Sequence, residues 1–219
     1  MPVRLNRAIE SLKKSLLTLG AQVEDNVRNS VRSLDKRDES LAKKVMEGDL
    51  AIDHLEVDLE EECLKALALY QPVAIDLRFI ICILKINNDL ERIGDIAVNI
   101  AERSLAIAEL PRIEFPYQFS GMAERAQGML KRSLDALVNM DAALAHSVCA
   151  EDDEVDGMHR EMYALIKDLI RKNPEQVDCL TNYLSISRLL ERIADHATNI
   201  AEDVIYLTQG EIVRHKLKE

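Results

Sequence analysis

The chain is poor in the residues that build compact β structures. Its 219 residues include no tryptophan, five tyrosines and three phenylalanines, with only seven glycines and five prolines. An all-β sandwich or barrel needs aromatic-rich strands and a turn roughly every 8–12 residues. We therefore expect long helices. The hydrophobic share of 47% is large enough for a real core, so the chain is not disordered.

Long apolar runs are also missing. The longest, residues 79–84, is far shorter than the ~20 residues that span a bilayer. The first residues form a charged amphipathic stretch and not the apolar core of a signal peptide, so we expect a cytoplasmic protein. No CxxC pair is present, which argues against a zinc site or a disulfide framework. We expect four reduced cysteines in the core: Cys63, Cys82, Cys149 and Cys179.

Positive charge is scarce, and this limits the classes of partner. The formal net charge of −11 argues against nucleic acid, because phosphate contacts need a basic surface, but it is compatible with binding cations. No basic cluster suited to phosphate is evident, so we expect that the chain does not sense phosphate directly. Gly-rich phosphate loops, HExxH motifs and nucleophile–histidine arrangements are absent from the sequence, which predicts no catalytic residues and no enzyme.

The chain contains an internal duplication. Residues 90–102 recur as 190–202 with ten of thirteen positions identical, at a displacement of 100. An earlier block, six matching residues between Asp38 and Asp53, recurs at a displacement of 103. The second half is therefore three residues shorter between the two blocks, and we place the difference at the turn that contains Pro72 in the first half.

Each repeat is predicted to form three helices, because apolar residues recur at helical spacing and prolines interrupt the pattern. The fold class is therefore all-α, with two tandem three-helix bundles and six long antiparallel helices. The predicted domains are a first repeat at 1–109, a linker at 110–117, and a second repeat with a C-terminal tail at 118–219. The predicted helices cover roughly 4–34, 39–70, from just after Pro72 to 108, 118–139, 141–172 and 175–208.

Acidic residues repeat at i, i+4 on four of these helices. Glu91 and Asp95, followed by Asn99, form a stripe nearly opposite the core seam of the third helix. Asp53 and Glu91 are equidistant from Pro72, and so are Asp49 and Asp95, so an antiparallel hairpin places each pair level. The same arrangement recurs in the second repeat as Asp152, Asp156, Glu191, Asp195 and Asn199.

These carboxylate pairs predict metal binding at the bundle surface. Like charges at i, i+4 destabilise a helix by ~0.2–0.5 kcal/mol per pair, yet four such pairs occur at matched positions. Carboxylate oxygens suit hard or borderline cations such as Mg, Mn and Fe. The alternative is a solvated charged face, the usual fate of acidic residues on helices. Arg92 and Arg192 are expected to pair with Asp95 and Asp195 at i, i+3, and not to bind anions.

Four segments resemble the PhoU family of phosphate-uptake regulators. They are residues 71–78, 89–95, 190–202 and 206–215, and the paired Leu-Glu-Arg-Ile-x-Asp helices at duplicate positions are specific. The resemblance covers essentially the whole chain. One departure is Ala194, where the family usually has glycine, as at Gly94 here; we expect little consequence because alanine is the better helix former.

The resemblance implies a fold of two three-helix bundles and a regulatory role without catalysis. It implies a negative regulator of the phosphate-starvation response, and so indirectly of the transcription of the phosphate regulon. The implied partners are the ATPase subunit of a phosphate ABC transporter and a sensor histidine kinase, reached at the inner face of the membrane. We also expect a homodimer and no nucleic-acid partner.

The resemblance also implies a multinuclear cluster of iron, or of manganese, zinc or magnesium, on the protein surface. The residues that match the acidic pairs of the family are Asp49, Asp53, Glu91, Asp95, Asp152, Asp156, Glu191 and Asp195, with Asn99 and Asn199 as additional candidates.

Three alternatives remain open. A PhoU-like domain could regulate a different transporter, and a plain helical scaffold would bind no metal. A ferritin-like di-metal enzyme would need Glu-x-x-His ligands inside a bundle. That alternative ranks low, because Gly94 and Ala194 stand three residues after the glutamates and the stripe faces outward.

Overall fold

The computed structural model describes residues 2–116 and 119–210, and this part of the chain is helical without strands. Each helix lies close to its predicted limits, so the all-α fold class is confirmed. A 3₁₀ turn, Pro174–Gln176, precedes the last helix. The helices are α1 Pro2–Lys36, α2 Glu39–Tyr70, α3 Ala74–Glu109, α4 Phe119–Asn139, α5 Ala142–Lys172 and α6 Val177–Gln209.

The predicted domain limits at 1–109, 110–117 and 118–219 stay a prediction. Residues 117, 118 and 211–219 lie outside the described ranges.

The helix ends repeat with the duplication. Asp38 caps α2 by accepting a hydrogen bond from the backbone N–H of Leu41 at 3.0 Å, and Asp141 caps α5 in the same way from Leu144 at 3.0 Å. Residues 71–73 connect α2 to α3, whereas Asn173 alone separates α5 from the 3₁₀ turn. The three-residue difference therefore lies at this turn, as predicted.

The two bundles pack side by side through their first and third helices. Within each repeat every helix contacts the other two, and between repeats α1 packs on α4 and α3 packs on α6. The α3–α6 pair is antiparallel, because Lys85 meets Asp203 while Asp89, further along α3, meets the earlier His196. Helices α2 and α5 therefore lie on the outside, where their acidic residues can meet solvent.

Matched apolar residues form the core of both repeats. Ile83, Ile86, Leu90 and Ile93 of α3 are fully buried. Three of their counterparts 100 residues later are fully buried too, and the fourth, Tyr183, is half-buried and packs against the core. Each such side chain stabilises the fold by about 1.5–3 kcal/mol relative to full exposure. All four cysteines are free, and all but the half-buried Cys149 belong to the core, so the prediction of reduced core cysteines is largely confirmed.

One side chain ties the end of α3 to the start of the linker. The Arg37 guanidinium donates hydrogen bonds to the carbonyls of Ile107, Ala108 and Leu110 at 2.5, 2.9 and 2.6 Å. The first two carbonyls belong to the last turn of α3, where carbonyls have no i+4 partner within the helix, and the third belongs to the capping residue Leu110. Among the described helices, none has the uninterrupted apolar length that crossing a bilayer requires.

Candidate metal-binding surface

The first acidic cluster lies where α2 packs against a glycine of α3, Gly94. A Cβ atom on Gly94 would stand 3.3 Å from the Asp49 Oδ1 atom and 3.3 Å from a methyl carbon of Ile52. The absence of a side chain at Gly94 therefore lets the Asp49 carboxylate lie directly against α3. Asp95, the next residue, comes close enough to raise the pKa of Asp49.

The electrostatics of this cluster are almost wholly repulsive. Partial burial, followed by repulsion from Asp53 and Asp95, raises the pKa of Asp49 to about 6. The pKa of Glu91 is also raised, first by partial burial and then by neighbouring acids that include Asp95 and Asp53, while Arg92 opposes the rise. The structure thus brings the four acids of the first repeat to one level, as the hairpin register predicts.

The second cluster has the same acids but more cationic neighbours. The pKa of Glu191 is raised, first by partial burial and then by Asp156, while Arg188 and Arg192 lower it. The Arg160 guanidinium lies 3.6 Å from the Asp156 carboxylate. The hydroxyl of Thr198 donates a hydrogen bond to Asp152 at 3.2 Å. Positive charge and hydrogen bonding therefore offset part of the repulsion here.

One residue of the first cluster is missed by reasoning from the sequence. Glu56 is half-buried, and its carboxylate accepts a hydrogen bond from the buried Asn87 amide at 3.0 Å. Its pKa is raised, first by partial burial and then by Glu60 and Asp53. The signal was available, because Glu56 lies one turn after Asp53. Its counterpart in the second repeat is His159, whose Nδ1 lies 2.8 Å from the hydroxyl of Ser187.

The candidate ligands lie at the protein surface. Asp53, Asp95 and Asp195 are exposed, and the other five acids are half-buried. The side-chain amide of Asn99 donates to the backbone carbonyl of Asp95, one turn earlier on α3, at 2.8 Å. Asn199 lies with Asp195 along a large acidic cleft of about 930 Å³ between the repeats. The outward direction of the acidic stripes thus follows the predicted periodicity.

The carboxylate oxygens of the clusters suit a hard cation, but the side chains do not converge on a common point where a cation would be bound. In the described ranges, no three His, Cys, Asp or Glu side chains converge into a group that could hold a metal ion. Partial burial is the main cause of the raised pKa of Asp49, and repulsion from Asp53 and Asp95 raises it further. Binding would require exposed carboxylates such as Asp53 and Asp95 to turn toward a shared ion.

Two expectations about arginine are wrong. Within residues 2–116 and 119–210, Arg92 and Arg192 take part in no ion pair and instead stand near Glu91 and Glu191. A basic cluster does exist, because α3 and α6 bring Arg103 into one pocket with Arg188 and Arg192. These residues are far apart in the sequence, and only the i, i+4 spacing of the α6 pair hinted at it.

The fold and the site define a class: duplicated three-helix-bundle proteins with acidic pairs on the outer surface, unlike enzymes that hold two metals inside a bundle. Comparison with known proteins gives the family. The family model described as the PhoU domain matches residues 16–104 and 119–204. The chain belongs to the PhoU family.

Similar proteins extend over nearly the whole chain. The phosphate-specific transport system accessory protein PhoU homolog of Aquifex aeolicus is 37% identical over 214 residues, which cover 98% of this chain and 97% of the relative. The crystal structure of PhoU from Pseudomonas aeruginosa has a TM-score of 0.89 at 38% identity, covering 94% of this chain and 99% of that one.

A second solved structure agrees with the first. The phosphate transport system regulatory protein PhoU from Streptococcus pneumoniae has a TM-score of 0.85 at 32% identity, covering 95% of this chain and 99% of that chain. The PhoU family consists of regulatory accessory proteins and not of enzymes. The chain is therefore an accessory protein of phosphate transport, and the prediction that it is not an enzyme is confirmed by its family.

Proposed function

We propose that the chain is a cytoplasmic negative regulator of the phosphate-starvation response. It would connect the ATPase subunit of a phosphate ABC transporter with a sensor histidine kinase at the inner face of the membrane, as a homodimer. The observation that carries this proposal is the match of both repeats to the PhoU domain, together with relatives named as phosphate transport accessory proteins.

An exposed apolar stripe on α2 supports the adaptor role. Leu50, Val57 and Leu64 are 62%, 50% and 52% exposed and lie seven residues apart, so they share one outer face of the helix. The acids Asp53 and Glu60 flank this face. An amphipathic helix with a basic border would complement it, because apolar contacts and opposite charges would then coincide.

The second repeat lacks this stripe. The positions that correspond to Leu50, Val57 and Leu64 are charged there: Asp153, Arg160 and Lys167. A second copy of the chain is a poor occupant of the α2 stripe, because the flanking acids of the two copies would face each other. The stripe therefore favours a different protein as its partner, and the homodimer would use another face.

Metal would act by stiffening each hairpin of outer and inner helix. We propose that iron, manganese, zinc or magnesium binds at the two clusters and cancels the repulsion between their carboxylates. This chain supplies the ligands and the spacing, and the bound cation supplies the opposite charge. The proposed ligands are Asp49, Asp53, Glu91 and Asp95 in the first repeat and Asp152, Asp156, Glu191 and Asp195 in the second, with Asn99 and Asn199 as weaker candidates.

One experiment tests the metal and the regulatory role together. Protein purified without chelator or metal-affinity resin is analysed for metal content, alongside a variant with Asp49, Asp53, Glu91 and Asp95 changed to alanine. Expression of a phosphate-starvation reporter is measured in cells carrying each chain. We expect the variant to lose at least about half of the bound metal, because one of the two clusters is removed, and to weaken repression.

A control separates these acids from charge in general. Changing the exposed Glu109, Glu114, Glu124 and Asp178 to alanine removes the same number of charges outside the clusters. This control should keep its metal and its repression. If repression survives in a metal-free variant, the metal proposal fails while the adaptor role stands. If the reporter responds to phosphate supply neither in cells that carry the chain nor in cells that lack it, the chain regulates a transporter for a substrate other than phosphate.

A further inference from the structure

A pocket at the junction of the two repeats is lined by three arginines. Arg103 reaches it from α3, and Arg188 and Arg192 reach it from α6, in a volume of about 230 Å³ that Asn99 and Ser185 also line. All three arginines are exposed. The ion pairs formed within the described ranges involve none of their guanidinium groups. For a chain with a net charge of −11, this is an unusual concentration of free positive charge.

The matching groove on the other side of the α3–α6 contact explains why these charges are uncompensated. There Lys85 donates to the buried Asp203 at 3.1 Å. At a displacement of 100, Lys85 corresponds to Ser185 and Asp203 corresponds to Arg103. The lysine–aspartate pair of one side is therefore a serine–arginine pair on the other, where the arginine has no acid opposite it. The duplication has thus produced one acidic groove and one basic pocket from equivalent positions.

Neighbouring groups leave this positive charge largely available. Glu191 is close enough for Arg188 and Arg192 to lower its pKa, but it is a single carboxylate beside two cations. The Asn99 amide donates one hydrogen bond to a backbone carbonyl at 2.8 Å and retains a second N–H. The Ser185 hydroxyl donates to the backbone of its own helix at 2.9 Å. Arginine N–H groups are therefore the main donors that face the pocket.

We propose that this pocket binds a phosphate-class anion, either inorganic phosphate or a phosphate monoester. Guanidinium groups donate paired hydrogen bonds that match the oxygens of a phosphate. A compact dianion also suits the pocket of about 230 Å³ better than an extended acidic peptide, which would reach beyond the three arginines. Bound phosphate would bridge α3 and α6 and so bias how the two repeats pack.

The site needs neither metal nor a partner protein, so it can be tested in isolation. Metal-free full-length protein is titrated with inorganic phosphate by calorimetry at about 150 mM chloride, where exposed charges are screened as in the cell. The test variant is R103Q/R188Q/R192Q. We expect one equivalent of phosphate to bind the wild type and the affinity of the variant to fall at least about tenfold, since charge-assisted bonds are lost.

A matched control keeps the same loss of charge. Arg4, Arg78 and Arg92 are exposed arginines outside the pocket, and R4Q/R78Q/R92Q should bind phosphate within about twofold of the wild type. Circular dichroism checks that both variants stay helical, and the single variant R103Q tests the α3 contribution should the triple variant misfold. R103Q alone is expected to weaken binding several-fold.

Competition separates the two sources of the anion. If adenosine monophosphate displaces phosphate and binds more tightly than phosphate does, the ligand is a phosphate monoester. If adenosine monophosphate binds more weakly than phosphate, the ligand is inorganic phosphate. No binding to the wild type, or an equal loss in both triple variants, overturns the proposal. Arginine-dependent binding of a polyglutamate peptide without phosphate binding also overturns it. These results leave the regulatory role untouched, because repression and metal content are measured separately.

Discussion

The two acidic clusters share their carboxylates but not their surroundings. In the first repeat, Asp49 is surrounded by acids, and its pKa is raised to about 6. In the second, Arg160 lies 3.6 Å from Asp156, and a threonine hydroxyl donates to Asp152. The acidic positions are the same in both repeats while their neighbours differ, so matched acids need not have the same affinity for a cation.

The comparison extends to the residues one turn away. Glu56 adds a fifth carboxylate to the first cluster, whereas its counterpart His159 adds a neutral ring to the second, because burial followed by the nearby Arg188 lowers the pKa of His159. The first cluster therefore carries more uncompensated negative charge. If metal binds, it should bind there more strongly.

Divalent-metal affinity is where the two clusters should differ most. The variant D152N/D195N leaves the first cluster intact, and D49N/D95N leaves the second intact. We expect the remaining cluster of D152N/D195N to bind Mn²⁺ about tenfold more tightly, equivalent to ~1.4 kcal/mol, because no arginine ion pair competes with the metal. Calorimetric titration of metal-free protein measures both constants. Equal affinities, or a tighter second cluster, would contradict this account.

Exchanging Gly94 and Ala194 probes the helix approach beside each cluster. A194G should destabilise the protein by about 1 kcal/mol, because glycine is a poor helix former and a buried methyl group is lost. G94A should raise the free energy of unfolding by less than A194G lowers it, since the added methyl group would stand 3.3 Å from both Asp49 and Ile52. Urea unfolding of both variants gives the two free energies. A gain from G94A as large as the A194G loss would mean that α2 and α3 separate freely here.

The pH dependence of stability provides the smallest effect. The folded pKa of Asp49, about 6, lies above its ordinary value of 3.8, so between these values the folded state binds more protons than the unfolded state. Metal-free protein therefore loses stability as pH rises through this range. D49N should be more stable than wild type at pH 7, by less than about 1 kcal/mol after solvent screening, and equal to it near pH 4.

The matched variant in the second repeat is D152N. Asp152 accepts a hydrogen bond from Thr198, so its amide replacement should bring no comparable gain. Thermal unfolding of both variants between pH 4 and 8 checks the difference. A gain from D152N equal to that from D49N, or a D49N gain that persists at pH 4, would show that repulsion at Asp49 is not the cause.

Most of the fold could be predicted from local patterns. Helical periodicity gave the six helices, the capping aspartates recur at a displacement of 103, and the core seam through Leu90 is buried. Counting residues from the turn at Pro72 also predicted which acids face each other, because rise per residue is constant along two straight antiparallel helices. Glu56 was within reach of the same count and was missed.

Contacts between the repeats could not be predicted in this way. The pairing of Asp89 with His196 and the gathering of Arg103 with Arg188 depend on how α3 is rotated against α6. Two amphipathic helices can bury their apolar faces over a range of rotations and offsets. The sequence pattern therefore leaves open which polar residues meet at the edges of the interface.

The sequence by itself determined the helices, the duplication and the outward direction of the acidic pairs, since these follow from spacing along one helix or one hairpin. Only the tertiary structure decided which charges are compensated. Asp49 and Asp152 occupy the same position in a repeat alignment, but Asp49 lies near Asp95 of α3, whereas Asp152 accepts a hydrogen bond from Thr198 of α6, and such interactions depend on distance in space. That distance is set by the packing of helices from separate parts of the chain.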